Sequence, residues 1–125
     1  MIGFSEGANV AAAFIAQERT MEPASRAFKC AIFICGGLSV SYRGPDAEMA
    51  HRLGSGPTIN VPTGHILGSR DDLYTAGVEL SELCSSHNRL ILEHSGGHEI
   101  PKGEKATLGM VQLVNGVIAR ALFAQ

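Results

Sequence analysis

The sequence predicts an α/β fold in which a parallel sheet of about three strands is flanked by helices. Helix-like and strand-like segments alternate along the chain in the order α-β-α-β-α-β-α. The strand-like segments are short and almost wholly apolar, which is typical of strands covered on both faces. With 125 residues and 45% hydrophobic content, the chain is expected to form a single domain over residues 1–125.

The first half supplies a helix and a strand. Residues 8–19 are alanine-rich and contain neither Gly nor Pro, so a helix is predicted from just after Ser5 until Pro23 ends it. Residues 28–35 form an apolar run that ends at two glycines, and this run is the first predicted strand. The pattern then favours a short helix over residues 45–53 and a loop over residues 54–57.

The second half continues the alternation. A strand is predicted within residues 58–67, with Pro62 at its entry and a Gly-Ser turn after it. A helix over residues 72–85 and a strand over residues 89–93 follow, and residues 104–123 repeat apolar positions at helical spacing. Right-handed crossovers between such strands make the sheet parallel and gather reactive groups at the strands' carboxyl ends.

Charge and hydropathy narrow the classes of partner. The 10 basic and 12 acidic residues nearly cancel and form no long run, which predicts neither a nucleic-acid nor an anionic-membrane partner. Apolar runs such as residues 8–13 and 30–35 are far shorter than the roughly 20 residues that span a bilayer. We therefore expect no membrane association and a cytoplasmic location.

Cysteine and histidine spacing argues against a metal site. Cys30, Cys35 and Cys84 lack C-x-x-C spacing, and buried free thiols are the expected outcome. The five histidines form neither H-x-x-x-H nor a paired spacing with cysteine. The chain also lacks G-x-G-x-x-G and a P-loop, so a flavodoxin-like nucleotide-binding domain is disfavoured and no cofactor is expected.

Polar residues follow two of the predicted strands and the short would-be strand before Ser5. Ser5 lies in G-F-S-E-G. Asp71 and Asp72 follow the strand predicted within residues 58–67, and His98 follows the strand predicted over residues 89–93. The chain order serine, aspartate, histidine is the order used by α/β-hydrolases. A serine hydroxyl needs an imidazole to remove its proton, and the imidazole needs a carboxylate to fix its tautomer. The backbone N–H of Glu6, next to the serine, is the candidate oxyanion donor.

Each of these residues also has a structural interpretation. Ser5 could be a helix N-cap, the two aspartates could be ordinary acidic residues at a helix start, and His98 could be a plain loop histidine. The joint agreement of order and position favours the catalytic interpretation.

Four segments resemble successive blocks of the fungal-type family of serine hydrolases: G-F-S-E-G-A, F-K-C-A-I-F-I-C-G-G, V-P-T-G-H-I-L-G-S-R-D and H-S-G-G-H-E-I-P. The resemblance implies an α/β-hydrolase fold acting on a small acyl ester or thioester. It implies Ser5 as nucleophile, Asp71 as the acid and His98 as the base. The G-x-x-D spacing from Gly68 favours Asp71 over Asp72.

The chain departs from the family's pattern in two ways. Glu6 stands where the family usually has glutamine, and its charge could oppose a developing oxyanion. The family's first strands, and the loop with the second oxyanion N–H, would precede Met1, so we expect a truncated domain. Losing one such donor costs about 10²–10³ in turnover. The alternative is a non-catalytic binding or assembly module that forms a homo-oligomer or pairs with another chain at an exposed sheet edge.

Overall fold

The computed structural model describes residues 1–37 and 58–123, which form a parallel four-stranded sheet in the order β1-β2-β3-β4. The strands are β1 (Ile2–Phe4), β2 (Ala31–Ile34), β3 (Thr63–Gly68) and β4 (Arg89–His94). The helices are α1 (Glu6–Gln17), α2 (Tyr74–Glu82) and α3 (Glu104–Phe123), with short 3₁₀ turns at Glu18–Thr20 and Pro23–Ser25.

The expectation of about three strands is one short, because Ile2–Phe4 is also a strand. It pairs in parallel with β2, with Ile2 opposite Ile32 and Phe4 opposite Ile34. Three residues are too few to show strand periodicity, so the neighbouring strand, and not the local pattern, decides their conformation. The strand within residues 28–35 therefore has a neighbour on this side, and among the described residues β1 is the edge strand of the sheet.

The other predicted elements occur with shifted ends. The strand expected over residues 28–35 is limited to Ala31–Ile34, and the helix expected over 72–85 is limited to Tyr74–Glu82. The last helix has the predicted bounds, Glu104–Phe123. The helix expected over residues 45–53 and the loop over 54–57 lie outside the described residues.

Two apolar layers enclose the sheet. On one face α1 and α2 cover the strands through a cluster of small and medium side chains: Ala8, Ala11, Ala12, Ile15, Ala31, Phe33, Ile59, Val61, Leu80 and Cys84. On the other face α3 packs through Leu113 and Val117 onto Ile32, Ile34, Cys35 and Ile66. Since the strands are parallel, the segments that follow them emerge at the same edge of the sheet.

Helix α3 combines a packed face with a hydrophobic exterior. Among the described residues it is the one helix that has the length and composition to cross a bilayer, with a mean hydropathy of 1.4. Its inner face, including Leu113 and Val117, lies on the sheet. Leu108, Val111, Ile118 and Leu122 are each more than 40% exposed.

Candidate active site

Ser5 lies on a sharp turn between β1 and α1. Its φ of 54° and ψ of −121° place it outside the conformations that L-residues ordinarily adopt. The turn is held by the Ser5 N–H, which donates to the Ile34 carbonyl at 2.8 Å, and by the Ser5 carbonyl, which accepts from the Ala8 N–H at 3.0 Å. The hydroxyl makes no capping hydrogen bond to α1, so the N-cap interpretation of this side chain does not apply.

The structure brings Ser5, His98 and Asp71 together from three different strand ends. His98 Nε2 lies 2.8 Å from Ser5 Oγ, and His98 Nδ1 lies 2.9 Å from Asp71 Oδ2. With the ring proton on Nδ1, the imidazole donates to the carboxylate and accepts from the serine hydroxyl. Asp72, the other candidate acid, is exposed, and Asp71 is the aspartate hydrogen-bonded to His98.

Asp71 is buried, with 7% of its surface exposed, yet its surroundings favour the ionised form. Burial alone would raise the pKa of its carboxyl, but hydrogen bonds from the Leu73 N–H, the His98 imidazole and the Cys35 thiol outweigh it. The net effect is a pKa below the ordinary value. The Leu73 N–H donates to Oδ1 at 2.9 Å, which leaves Oδ2 facing the imidazole.

Comparison with known proteins identifies the family of this chain. Residues 1–109 match the family model described as serine hydrolase (FSH1). The chain belongs to this family of serine hydrolases. Its parallel sheet with flanking helices is a partial α/β-hydrolase fold.

Three curated proteins that are similar to this chain bear the name esterase. The chain is similar to esterase FPY3 of Fusarium mangiferae, with 35% identity over 100% of this chain and 59% of the relative. It is 30% identical to esterase FUS5 of Gibberella fujikuroi over 91% of this chain and 44% of that protein. It is 31% identical to esterase OVCA2 of Xenopus tropicalis over 81% of this chain and 40% of that protein. The chain thus spans about half the length of these relatives.

In this member of the serine hydrolase family, hydrogen bonds from Arg70 tie the Asp71 loop to the His98 loop. The Arg70 side chain donates from Nε to the Ser95 carbonyl at 2.6 Å, and its backbone N–H donates to the Gly96 carbonyl at 3.0 Å. A Cβ on Gly68 would lie 2.7 Å from the Gly96 oxygen, so the two loops approach too closely for a side chain there. Sequence reasoning missed Arg70, because nothing local distinguishes it from an ordinary surface arginine.

Cys35 also lies at this site, although its sequence context predicted only a buried thiol. All three cysteines are free thiols. Cys35 and Cys84 are each 2% exposed, whereas Cys30 is half-buried. Single ligand atoms of Cys35, Asp71 and His98 lie within 4.8 Å of one another. Such atoms can bind a metal, but here they already interact with one another or with nearby backbone. No paired spacing in the sequence indicated this group.

Glu6 and Phe4 flank the serine. Glu6 is the first residue of α1, so its backbone N–H belongs to the four that the helix leaves without an internal partner. Its side chain is exposed. The Phe4 ring packs against the His98 imidazole with their centroids 5.3 Å apart, which limits the movement of the imidazole on that side.

Proposed function

We propose that this protein hydrolyses a small ester or thioester through Ser5, His98 and Asp71 and a covalent acyl-enzyme. The observation that carries the proposal is the unbroken hydrogen-bond chain from Ser5 Oγ through both imidazole nitrogens to the buried Asp71 carboxylate. Membership of a serine hydrolase family and similarity to named esterases support it.

Acylation uses all three side chains. Ser5 Oγ attacks the acyl carbonyl carbon while its proton passes to His98 Nε2, 2.8 Å away. Asp71 stays ionised and stabilises the imidazolium that forms, because its Oδ2 already accepts from Nδ1. When the tetrahedral intermediate collapses, His98 returns the proton to the departing alcohol or thiol, and the acyl group remains on Ser5.

The backbone N–H of Glu6 is the proposed donor to the oxyanion. It directly follows the nucleophile at the N-terminus of α1, where the helix dipole favours negative charge. The Glu6 carboxylate opposes part of this stabilisation, although its exposure lets water screen the charge.

Deacylation repeats the same proton transfers with water. His98 removes a proton from a water molecule, whose oxygen attacks the acyl carbon, and Ser5 Oγ leaves with that proton. An oxygen ester and a thioester pass through the same acyl-enzyme, so they differ in the first half-reaction only.

A serine-directed fluorophosphonate followed by intact-mass and peptide spectrometry tests the proposal. We expect one adduct, on Ser5, and a loss of at least about 10³-fold in labelling and ester hydrolysis in Ser5→Ala and His98→Ala. Ser25→Ala, which removes an exposed hydroxyl elsewhere, should leave both unchanged. Matched oxygen-ester and thioester substrates then separate the two activities. A folded protein that takes no label at Ser5 and cleaves neither substrate would contradict the proposal.

The second candidate is a binding or assembly module, and the open edge of β1 favours it. Within residues 1–37 and 58–123, no strand pairs with the outer side of this strand. Such an edge offers backbone groups to another chain. This candidate predicts association without labelling at Ser5.

A further inference from the structure

The two fully buried thiols occupy different surroundings. Cys84 belongs to the apolar layer under α1 and α2, where its Sγ lies 3.5 Å from the Leu80 carbonyl. Cys35 follows β2 on the α3 side, and its Sγ lies 3.4 Å from the Glu99 carbonyl. Glu99 is the residue after His98, so Cys35 touches the loop that carries the imidazole.

Cys35 also faces Asp71, whose carboxylate is hydrogen-bonded to the His98 imidazole. Its Sγ lies within 4.8 Å of a carboxylate oxygen of Asp71 and a ring nitrogen of His98. The titratable groups that face the thiol therefore come from the loops after β3 and β4.

The backbone aims this thiol. Cys35 has a φ of 48°, in the left-handed region that disfavours a residue with a Cβ. Its N–H nevertheless donates to the Ile66 carbonyl at 2.9 Å, so the residue keeps its place beside β3. The left-handed backbone conformation costs a cysteine conformational energy, and here it turns the thiol towards the loops that follow β3 and β4.

We propose that Cys35 is a positioning residue whose thiol holds the Asp71 carboxylate and the His98 loop in the geometry that Ser5 needs. This inference rests on the proposed function of the same three side chains.

The protonation state of the thiol suits this role. Burial raises the pKa of Cys35, hydrogen bonding to the Glu99 backbone lowers it, and the negative charge of Asp71 raises it, with a net increase. The thiol therefore stays protonated at neutral pH and is a donor. It has one S–H, which bonds either to the Asp71 carboxylate or to the Glu99 carbonyl, and each choice ties one of the two loops to the end of β2.

Three variants test the inference. Cys35→Ala removes the donor, Cys35→Ser keeps a donor of similar size, and Cys84→Ala removes an equally buried thiol on the opposite face of the sheet. The first readout is the rate of fluorophosphonate labelling at Ser5 as a function of pH. The second is the downfield proton resonance of the hydrogen bond between His98 and Asp71, which needs no turnover.

We expect Cys35→Ala to slow labelling at its pH plateau about tenfold, the size of one hydrogen bond to a charged group. The acidic limb of the profile should also move to higher pH, because the Asp71 carboxyl loses one of the donors that hold its pKa below the ordinary value. The imidazole resonance should shift. Cys35→Ser should recover most of the rate and the position of the limb, and Cys84→Ala should match the wild type in all three measurements.

Two results would overturn the inference. Equal effects of Cys35→Ala and Cys84→Ala would mean that any buried cavity slows labelling. A Cys35→Ser protein as slow as Cys35→Ala, with an unmoved acidic limb in both, would mean that the donor has no role. If the wild type takes no label but the imidazole resonance shifts in Cys35→Ala alone, the proposed function fails and the positioning role of Cys35 stands.

Discussion

At the scale of the residue, two histidines show how position decides chemistry. His98 lies past the end of β4 with 37% of its side chain exposed, and it contacts Ser5 and Asp71. His65 lies inside β3 and is 1% exposed, its Nε2 lies 3.1 Å from Thr63 Oγ1, and its ring packs against Phe33. Burial, with a smaller effect from the positive charge of Arg89, lowers the pKa of His65 from 6.5 to about 4.

We expect His65 to make stability fall as the pH drops from 6.5 towards 4. In this window the unfolded chain binds a proton that the folded chain resists, so acid favours unfolding. The loss reaches about 3 kcal/mol once both states are protonated. Urea unfolding at a series of pH values measures it. His65→Gln should flatten the pH dependence between 6.5 and 4, whereas the exposed-site variant His87→Gln should retain it. An unchanged slope in His65→Gln would contradict the assignment.

At the scale of the element, the turn from β1 into α1 makes different demands on its two motif glycines. A Cβ on Gly3 would lie 2.5 Å from the Gly7 carbonyl oxygen and 2.6 Å from the Ala8 nitrogen, both of them backbone atoms. A Cβ on Gly7 would meet nothing within 4 Å. The first glycine therefore lets the helix pack closely against the strand, and the second has no such steric requirement.

We predict opposite effects for the two substitutions. Gly3→Ala should destabilise the protein by about 1–3 kcal/mol, since strand and helix must separate, and should displace Ser5 from His98. Gly7→Ala should raise stability by about 0.5–1 kcal/mol, because alanine loses less backbone entropy than glycine in a helix. Denaturation midpoints and fluorophosphonate labelling measure both. Equal losses in the two variants would show that the motif needs glycine at both positions for another reason.

At the scale of the whole molecule, β1 is an apolar edge. Ile2 is 65% exposed and Phe4 is 40% exposed. The Met1 carbonyl and the Ser5 N–H both bond to β2, so the alternation of a parallel strand turns the backbone groups of Ile2 and Phe4 to the outer side. The sheet is thus able to extend past β1.

We expect the 125-residue chain to self-associate or precipitate as its concentration rises, because an apolar strand edge favours pairing with another copy. Ile2→Lys should lower the sedimentation coefficient at high concentration, since a charged edge residue resists pairing. Val10→Lys, at an apolar α1 position that is 53% exposed, should have little effect. A wild-type chain that sediments as a monomer at high concentration would contradict this expectation.

Local pattern was enough for much of this fold. Periodicity within short segments predicts the alanine-rich helix, the apolar strands and the helix over residues 104–123. The proximity of Ser5, Asp71 and His98 followed from a topological rule, because polar residues that follow parallel strands meet at one edge. The segment before Ser5 was only a would-be strand in the sequence, since the three residues of β1 are too few to show a period.

By itself, the sequence determined which elements form and in which order their reactive ends follow one another, because propensity and periodicity are properties of short segments. Only the tertiary structure decided that Ile2–Phe4 pairs with β2, that Arg70 clamps the loop before His98, and that Cys35 rather than Cys84 faces Asp71. These outcomes depend on atoms brought together from distant parts of the chain. Two thiols of equal burial look alike in sequence, and they differ only in the charges and carbonyls that the folded chain places beside each.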